Sequence, residues 1–178
     1  MSLKPAIDSL LHVLTQEQTL LLQMSDSDYA TTITHAFGSS PGKHIRHNLD
    51  HLTSFVLGFE QGHIDYEDRP RNERIEQCRD FALEEISSLM HNLRQLSAQK
   101  DKTLSIRCEI QSDDDDLQWL QSSCGRELQF LLSHSIHHHA IIAMLPVCQS
   151  LNLPTGFGIA PSTQRYQKNT STRQSCAH

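Results

Sequence analysis

Histidines are the residues of this chain best placed to do chemistry. Twelve are present, and they crowd into two short runs, "KHIRHNLDH" at 43–51 and "HSIHHHAII" at 134–142. The second run is broken by Ser135 and Ile136 and continues into Ala140, Ile141 and Ile142, which is unlike a consecutive terminal tag and marks it as native. In a helix each residue turns the side chain by about 100°. His134 and His138 therefore stand one above the other, His137 lies beside them, and His139 points well away. Two imidazoles at i, i+4 can reach one divalent ion, as in the metalloprotease helix motif, although no HExxH occurs here. Two ligands alone make a weak site, so a third must come from elsewhere. In the first run His44, His47 and His51 follow i, i+3, i+7 and share a face within about 60°. Leu52 and Phe55 lie close to that face and make it the buried one.

The elements that must carry these residues are legible from periodicity. Ile7, Leu10, Leu11, Leu14, Leu21 and Leu22 recur at helical spacing over residues 3–24 and predict a first amphipathic helix. Ser40 and Pro41 start a second, running from about Pro41 to Gln61 with Gly62 as its stop. "HIDYEDRPRNER" reads as a charged loop, and Ile75, Cys78, Ala82, Ile86, Leu89, Leu93 and Leu96 form one face of a third helix ending near Ser97. The period then changes to two in "TLSIRCEI", which predicts a short hairpin closing on "LQWLQSS" through the turn "QSDDDD". Those aspartates lack the spaced oxygen ligands and the glycine of a calcium loop and read as a solvated turn. A fourth helix begins near Ser122 or Ser123 and runs to the breaker at Asn152 to Pro154. On it Glu127, Leu131, His134, His138, Ile141 and Leu145 form one stripe, with polar groups where apolar ones are expected. Residues 1–166 are thus expected to be one all-α four-helix bundle with a small β-hairpin before the last helix, and 167–178 to be a disordered tail. Histidine in a core costs free energy unless it is hydrogen-bonded or ligated, and facing histidines on two helices are how bundle metal sites are made. His12, His35, His63 and His91 stand alone and receive no function.

Composition narrows the classes. A chain of 178 residues fits one domain, and its net charge of -6 with scattered cations argues against nucleic acid. The one basic segment, "RPRNERIEQCR", is interleaved with glutamates and reads as solvated surface. Five cysteines without a CxxC indicate neither a disulfide framework nor a cysteine zinc site, and fit reduced thiols in a cytoplasm. The apolar pattern of the first residues is too broken for a signal peptide, and no run is long enough to span a membrane.

With "PGKHIRHNLDH", "RELQFLLSHSIHHHAII" and the closing "GIAPSTQRY", the sequence resembles the DinB-like (YfiT-like) metalloproteins over most of its length. The resemblance implies a four-helix bundle holding one divalent ion, through a histidine on the second helix and an HxxxH pair on the last. By position, His47, followed by Asn48, Leu49 and Asp50 as in an HxxD, becomes the first ligand, with His51 its main rival, and His134 and His138 become the pair. Three neutral imidazoles would leave zinc, nickel or iron an open position, as in catalytic sites. Helical spacing places Asp50 and Glu127 near enough to orient the ligands, and His137 and His44 at the pocket edge, as acid–base groups or as packing residues. The resemblance implies a thiol-dependent transferase more than a hydrolase, acting on a small molecule such as a low-molecular-weight thiol. The competing class is a non-catalytic, stress-related metal-binding or dimerising bundle, a homodimer being compatible with either.

Overall fold

The computed structural model describes residues 2–34, 38–107 and 118–175. Helix α1 spans Lys4–Leu21, and Ile7, Leu10, Leu14 and Leu21 are all buried as their spacing predicts. Leu22, the C-cap residue, is 69% exposed and does not share the buried face it was expected to join. A short α2, Asp26–Ala30, leads to α3, Pro41–Phe59. The start of α3 is set locally: Ser40 is extended, its Oγ accepts the Lys43 N–H at 3.1 Å, and Pro41 needs no partner for a missing donor.

The expected third helix is two helices, α4 over Glu73–Gln77 and α5 over Arg79–Leu96. Cys78 between them is extended, with φ -123° and ψ 102°. After the break the Arg79 guanidinium reaches back to the carbonyl of Met24 at 2.8 Å and to Asp26 at 2.9 Å.

The hairpin is present as β2, Thr103–Arg107, and β3, Trp119–Ser123, paired antiparallel with Thr103 opposite Ser123. The remainder of the expected strand, 108–110, and the aspartate turn at 111–116 lie outside the described residues. A third strand, β1 at His63–Asp65, pairs parallel with β2 in a segment that the sequence presents as a charged loop. Three residues are too few for alternation to show.

Helix α6, Cys124–Met144, follows β3 directly, capped by Ser123 Oγ on the Arg126 N–H at 3.3 Å. The fold is therefore mostly helical with a small three-stranded sheet. Helices α1 and α3 each pack against both α5 and α6. A 3-10 turn at Pro146–Cys148 and a final helix α7, Pro161–Ser175, complete the described chain. The segment expected to be a disordered tail from 167 is thus helical as far as Ser175, with no glycine or proline inside it to interrupt the ladder. Among the described residues no helix is long and apolar enough to cross a membrane.

Candidate metal centre

Helix α6 is covered on two sides, and this decides where its histidines go. Its buried stripe contains Leu128, Leu131, Ser135, His139 and Ile142, one position round from the stripe expected. His134 and His138 flank it, half-buried, on the side facing α3. His139 turns towards α1, fully buried, with Nε2 2.9 Å from Glu17 Oε1 and its ring stacked on Phe157 at 4.1 Å.

Across from α6, helix α3 presents His44, His47 and His51 one turn after another. The His47 ring centre lies 4.5 Å from that of His51, 4.9 Å from that of His134 and 4.7 Å from that of His138. His51 and His134 are likewise 4.5 Å apart. The three residues that bring one ring nitrogen each within 4.8 Å of one another are His47, His51 and His134. His138 stands beside this set: its Nδ1 is 2.9 Å from His44 Nδ1, and His44 Nε2 is 2.7 Å from Ser39 Oγ. The resemblance put His138 with His47 and His134 and held His51 as the rival; the nitrogens of His47, His51 and His134 lie within 4.8 Å of one another, while the His138 ring is 4.6 Å from that of His134 and 4.7 Å from that of His47.

The orientation of the three rings has identifiable causes. His51 Nδ1 donates to the His47 carbonyl at 2.8 Å, which leaves Nε2 as the free nitrogen. Its ring stacks on Tyr66 at 5.6 Å, and Phe130, one turn before His134, packs on that tyrosine at 5.6 Å and lies 6.2 Å from His51 and 5.5 Å from His134. His134 Nε2 is buried and has no hydrogen-bond partner. A buried imidazole nitrogen left orphaned costs free energy, and ligation is one way to recover it.

Burial lowers the pKa of His44, His47, His51, His134 and His138. His47 falls to about 3, chiefly by burial, then through the charges of His51, His134, Arg69 and Arg46. His134 falls to about 4, by burial and then by His51, His137 and Arg69. His51 and His44 are lowered by burial first, and His138 is driven well down by burial and by its four histidine neighbours. All five are neutral at pH 7, the state in which imidazole ligates metal.

The other expected residues are placed as follows. Asp50 is 2% exposed, but its carboxylate is held by Arg46 at 2.7 Å, and Arg46 also grips Glu76 at 2.9 Å. Burial raises the Asp50 pKa while Arg46 opposes it. The side chain that holds this carboxylate is thus the Arg46 guanidinium. Glu127 is buried and accepts hydrogen bonds from Tyr66 Oη at 3.0 Å and from Ser122 Oγ, so it acts on His51 through the tyrosine. His137 is exposed, with its ring 5.3 Å from that of His138. His12, His63 and His91 are exposed and His35 lies outside the described residues.

Tyr66 and Phe130, which pack on the imidazoles, and Arg69, which bonds to the Tyr66 carbonyl, are the neighbours that sequence reasoning missed. Phe130 could have been found at i−4 from His134. Tyr66 and Arg69 could not, because β1 pairing with β2 brings them in: the Tyr66 N–H donates to the Arg107 carbonyl at 2.9 Å.

No protein-family model matches the sequence, and no solved structure matches it. FK506-binding protein 5 of Rhizopus delemar is similar, 34% identical over 106 residues, which are 59% of this chain and 28% of that protein. The chain thus spans little more than a quarter of that relative's length.

Proposed function

We propose that the chain is a DinB-type helical bundle holding one divalent first-row metal ion through His47, His51 and His134, and that it is a metal-dependent enzyme, a thiol-dependent transferase before a hydrolase. The observation that carries this reading is the convergence of three ring nitrogens within 4.8 Å, one of them the buried, unpartnered His134 Nε2. The donor set also fits: three neutral nitrogen ligands suit zinc, nickel or iron and leave a coordination position for a small molecule. A bound ion would supply Lewis acidity, lowering the pKa of a coordinated thiol or water. The chain's own residues provide the surroundings. Tyr66 and Phe130 wall the three rings and limit water beside them. His138, His44 and Ser39 form a hydrogen-bonded chain leading away from the site, which fixes the tautomers of the two rings.

Metal analysis of untagged protein tests the reading. About one divalent ion per chain is expected. His47→Ala, His51→Ala and His134→Ala should each lose it, while His139→Ala, which faces α1, should retain it. Metal content equal to that of the triple variant lacking His47, His51 and His134 would overturn the reading. Retention by His51→Ala together with loss by His138→Ala would move the third ligand to His138. Thiol consumption by the metal-loaded protein with an electrophilic acceptor then separates transferase from inert metal binder.

A further inference from the structure

Beside the convergent imidazoles, one hydroxyl is held against a ring nitrogen. Ser39 Oγ lies 2.7 Å from His44 Nε2, and His44 Nδ1 lies 2.9 Å from His138 Nδ1. Both nitrogens of the His44 ring are thus engaged, one by a hydroxyl and the other by a second imidazole. A nucleophile, a base and a group that orients the base therefore stand in line, within the hydrogen-bond reach that nucleophilic catalysis requires. The serine is fixed as well as the ring. Its carbonyl accepts the Ile33 N–H at 2.7 Å, and Gly38 before it turns the chain with φ 68°, its own carbonyl accepting Lys43 Nζ at 2.8 Å. Ser39 stands just before the Ser40 cap of α3, where the N–H groups of the first turn and the Lys43 ammonium supply positive potential. Ser39, His44 and His138 are all half-buried, so the hydroxyl is neither sealed in the core nor in bulk solvent. None of them belongs to the proposed ligand set of His47, His51 and His134.

We infer that Ser39 is a nucleophile, that His44 is its general base and His138 the residue that positions His44, and that they take the acyl group of a small activated ester. Ser39 Oγ bonds to the ester carbonyl carbon while its proton passes to His44 Nε2. The carbon–oxygen bond to the leaving alcohol then breaks, and that oxygen takes the proton from His44. Acylated Ser39 and a free alcohol result. Water, giving its proton to His44 in the same way, releases the carboxylic acid and restores the hydroxyl. The negative charge that gathers on the carbonyl oxygen in each step is favoured by the positive end of α3 and by Lys43. His138 Nδ1 accepts the His44 Nδ1–H, which leaves Nε2 as the lone pair facing Ser39. Nothing in these steps draws on a metal ion, so they stand apart from the metal reading.

The test treats the full chain with p-nitrophenyl acetate, before and after a chelator. A burst of about one p-nitrophenolate per chain is expected in both, the mark of an accumulating acyl intermediate, and peptide mapping should place the acetyl group on Ser39. Ser39→Ala should lose burst and adduct, and if that variant does not fold, the position mapped in the native chain decides. His44→Gln should slow acylation about 10²–10⁴-fold, the usual worth of a general base. His138→Ala should lower the maximal acylation rate about 10 to 100-fold, as loss of a group that orients a working imidazole does, without changing the ester concentration that gives half of it. His138→Gln, whose amide oxygen can take the same N–H, should recover part of the rate, which a packing role alone does not explain. Absence of a burst, acetylation of lysine or histidine in place of Ser39, or an undiminished burst in Ser39→Ala overturns the inference. So does a burst that appears only with metal present, because it belongs to water on the ion.

Discussion

Five imidazoles within one small volume are neutral because they are buried together, and this makes the fold acid-sensitive. His47 and His134 are lowered from the ordinary value of 6.5 to about 3 and about 4. Above 6.5 neither the folded nor the unfolded chain protonates these rings, and their neutrality costs nothing. Between 6.5 and about 4 to 3 the unfolded chain takes up protons that the folded chain refuses, so stability falls as pH falls through that window. Thermal melts of chelator-treated protein should show it: the melting temperature should drop on acidification, and drop less in the double variant His47→Gln, His134→Gln. Equal slopes for the two proteins would mean that the rings are already charged in the fold. In metal-loaded protein the same window should see release of the ion, because ligation and protonation compete for one lone pair.

At the scale of elements, α3 is positioned by the lack of a side chain at Gly42. A Cβ there would lie 2.1 Å from the backbone oxygen of Glu76, so α3 and α4 touch main chain to main chain at the first turn of the histidine helix. The Arg46 bridge to Glu76 fastens the same pair of helices one turn further on. Gly42→Ala should force them apart and destabilise the fold by about 1–3 kcal/mol, the usual cost of overpacking. The urea midpoint measures this, and an unshifted midpoint would show that α4 gives way freely. Helix α3 was readable in advance because its cap, proline and apolar period agree. Strand β1 was not, because its partner is 42 residues on and only the pairing makes it a strand: His63 lies opposite Ser105.

At the scale of the molecule, three helices meet behind the candidate centre. Glu17 of α1 is fully buried, and its Oε1 accepts Asn48 Nδ2 of α3 at 2.9 Å and faces His139 Nε2 of α6 at 2.9 Å. Asn48 follows His47 and His139 follows His138, so the network sits directly behind the imidazoles. Glu17→Ala should leave two buried polar groups without their acceptor and cost about 3–5 kcal/mol, as breaking a buried polar pair does. Calorimetric or denaturant unfolding measures the loss. Metal content per folded chain should be unchanged, because Glu17 bonds to neither His47, His51 nor His134. Loss of metal from a variant that remains folded would show that the network sets the spacing of α3 and α6 as well as their stability.

What the sequence determined by itself is phase. Helical rotation placed His134 and His138 on one face, His139 on another, and His44, His47 and His51 together on a facing helix, and all of this is local geometry. Caps at Ser40 and Ser123 likewise fixed where the two histidine helices begin. Tertiary structure decided depth, the level at which one helix meets the other, and so brought the His51 nitrogen within 4.8 Å of those of His47 and His134. It also decided that His139 would be buried against Glu17, and that the segment after α3 would deliver Tyr66 to His51. Rotation about a helix axis follows from residue spacing, but translation along it is set by contacts such as Gly42 with Glu76 and Asn48 with Glu17, whose partners are distant in the chain. No local pattern encodes a contact that exists only after the helices have packed.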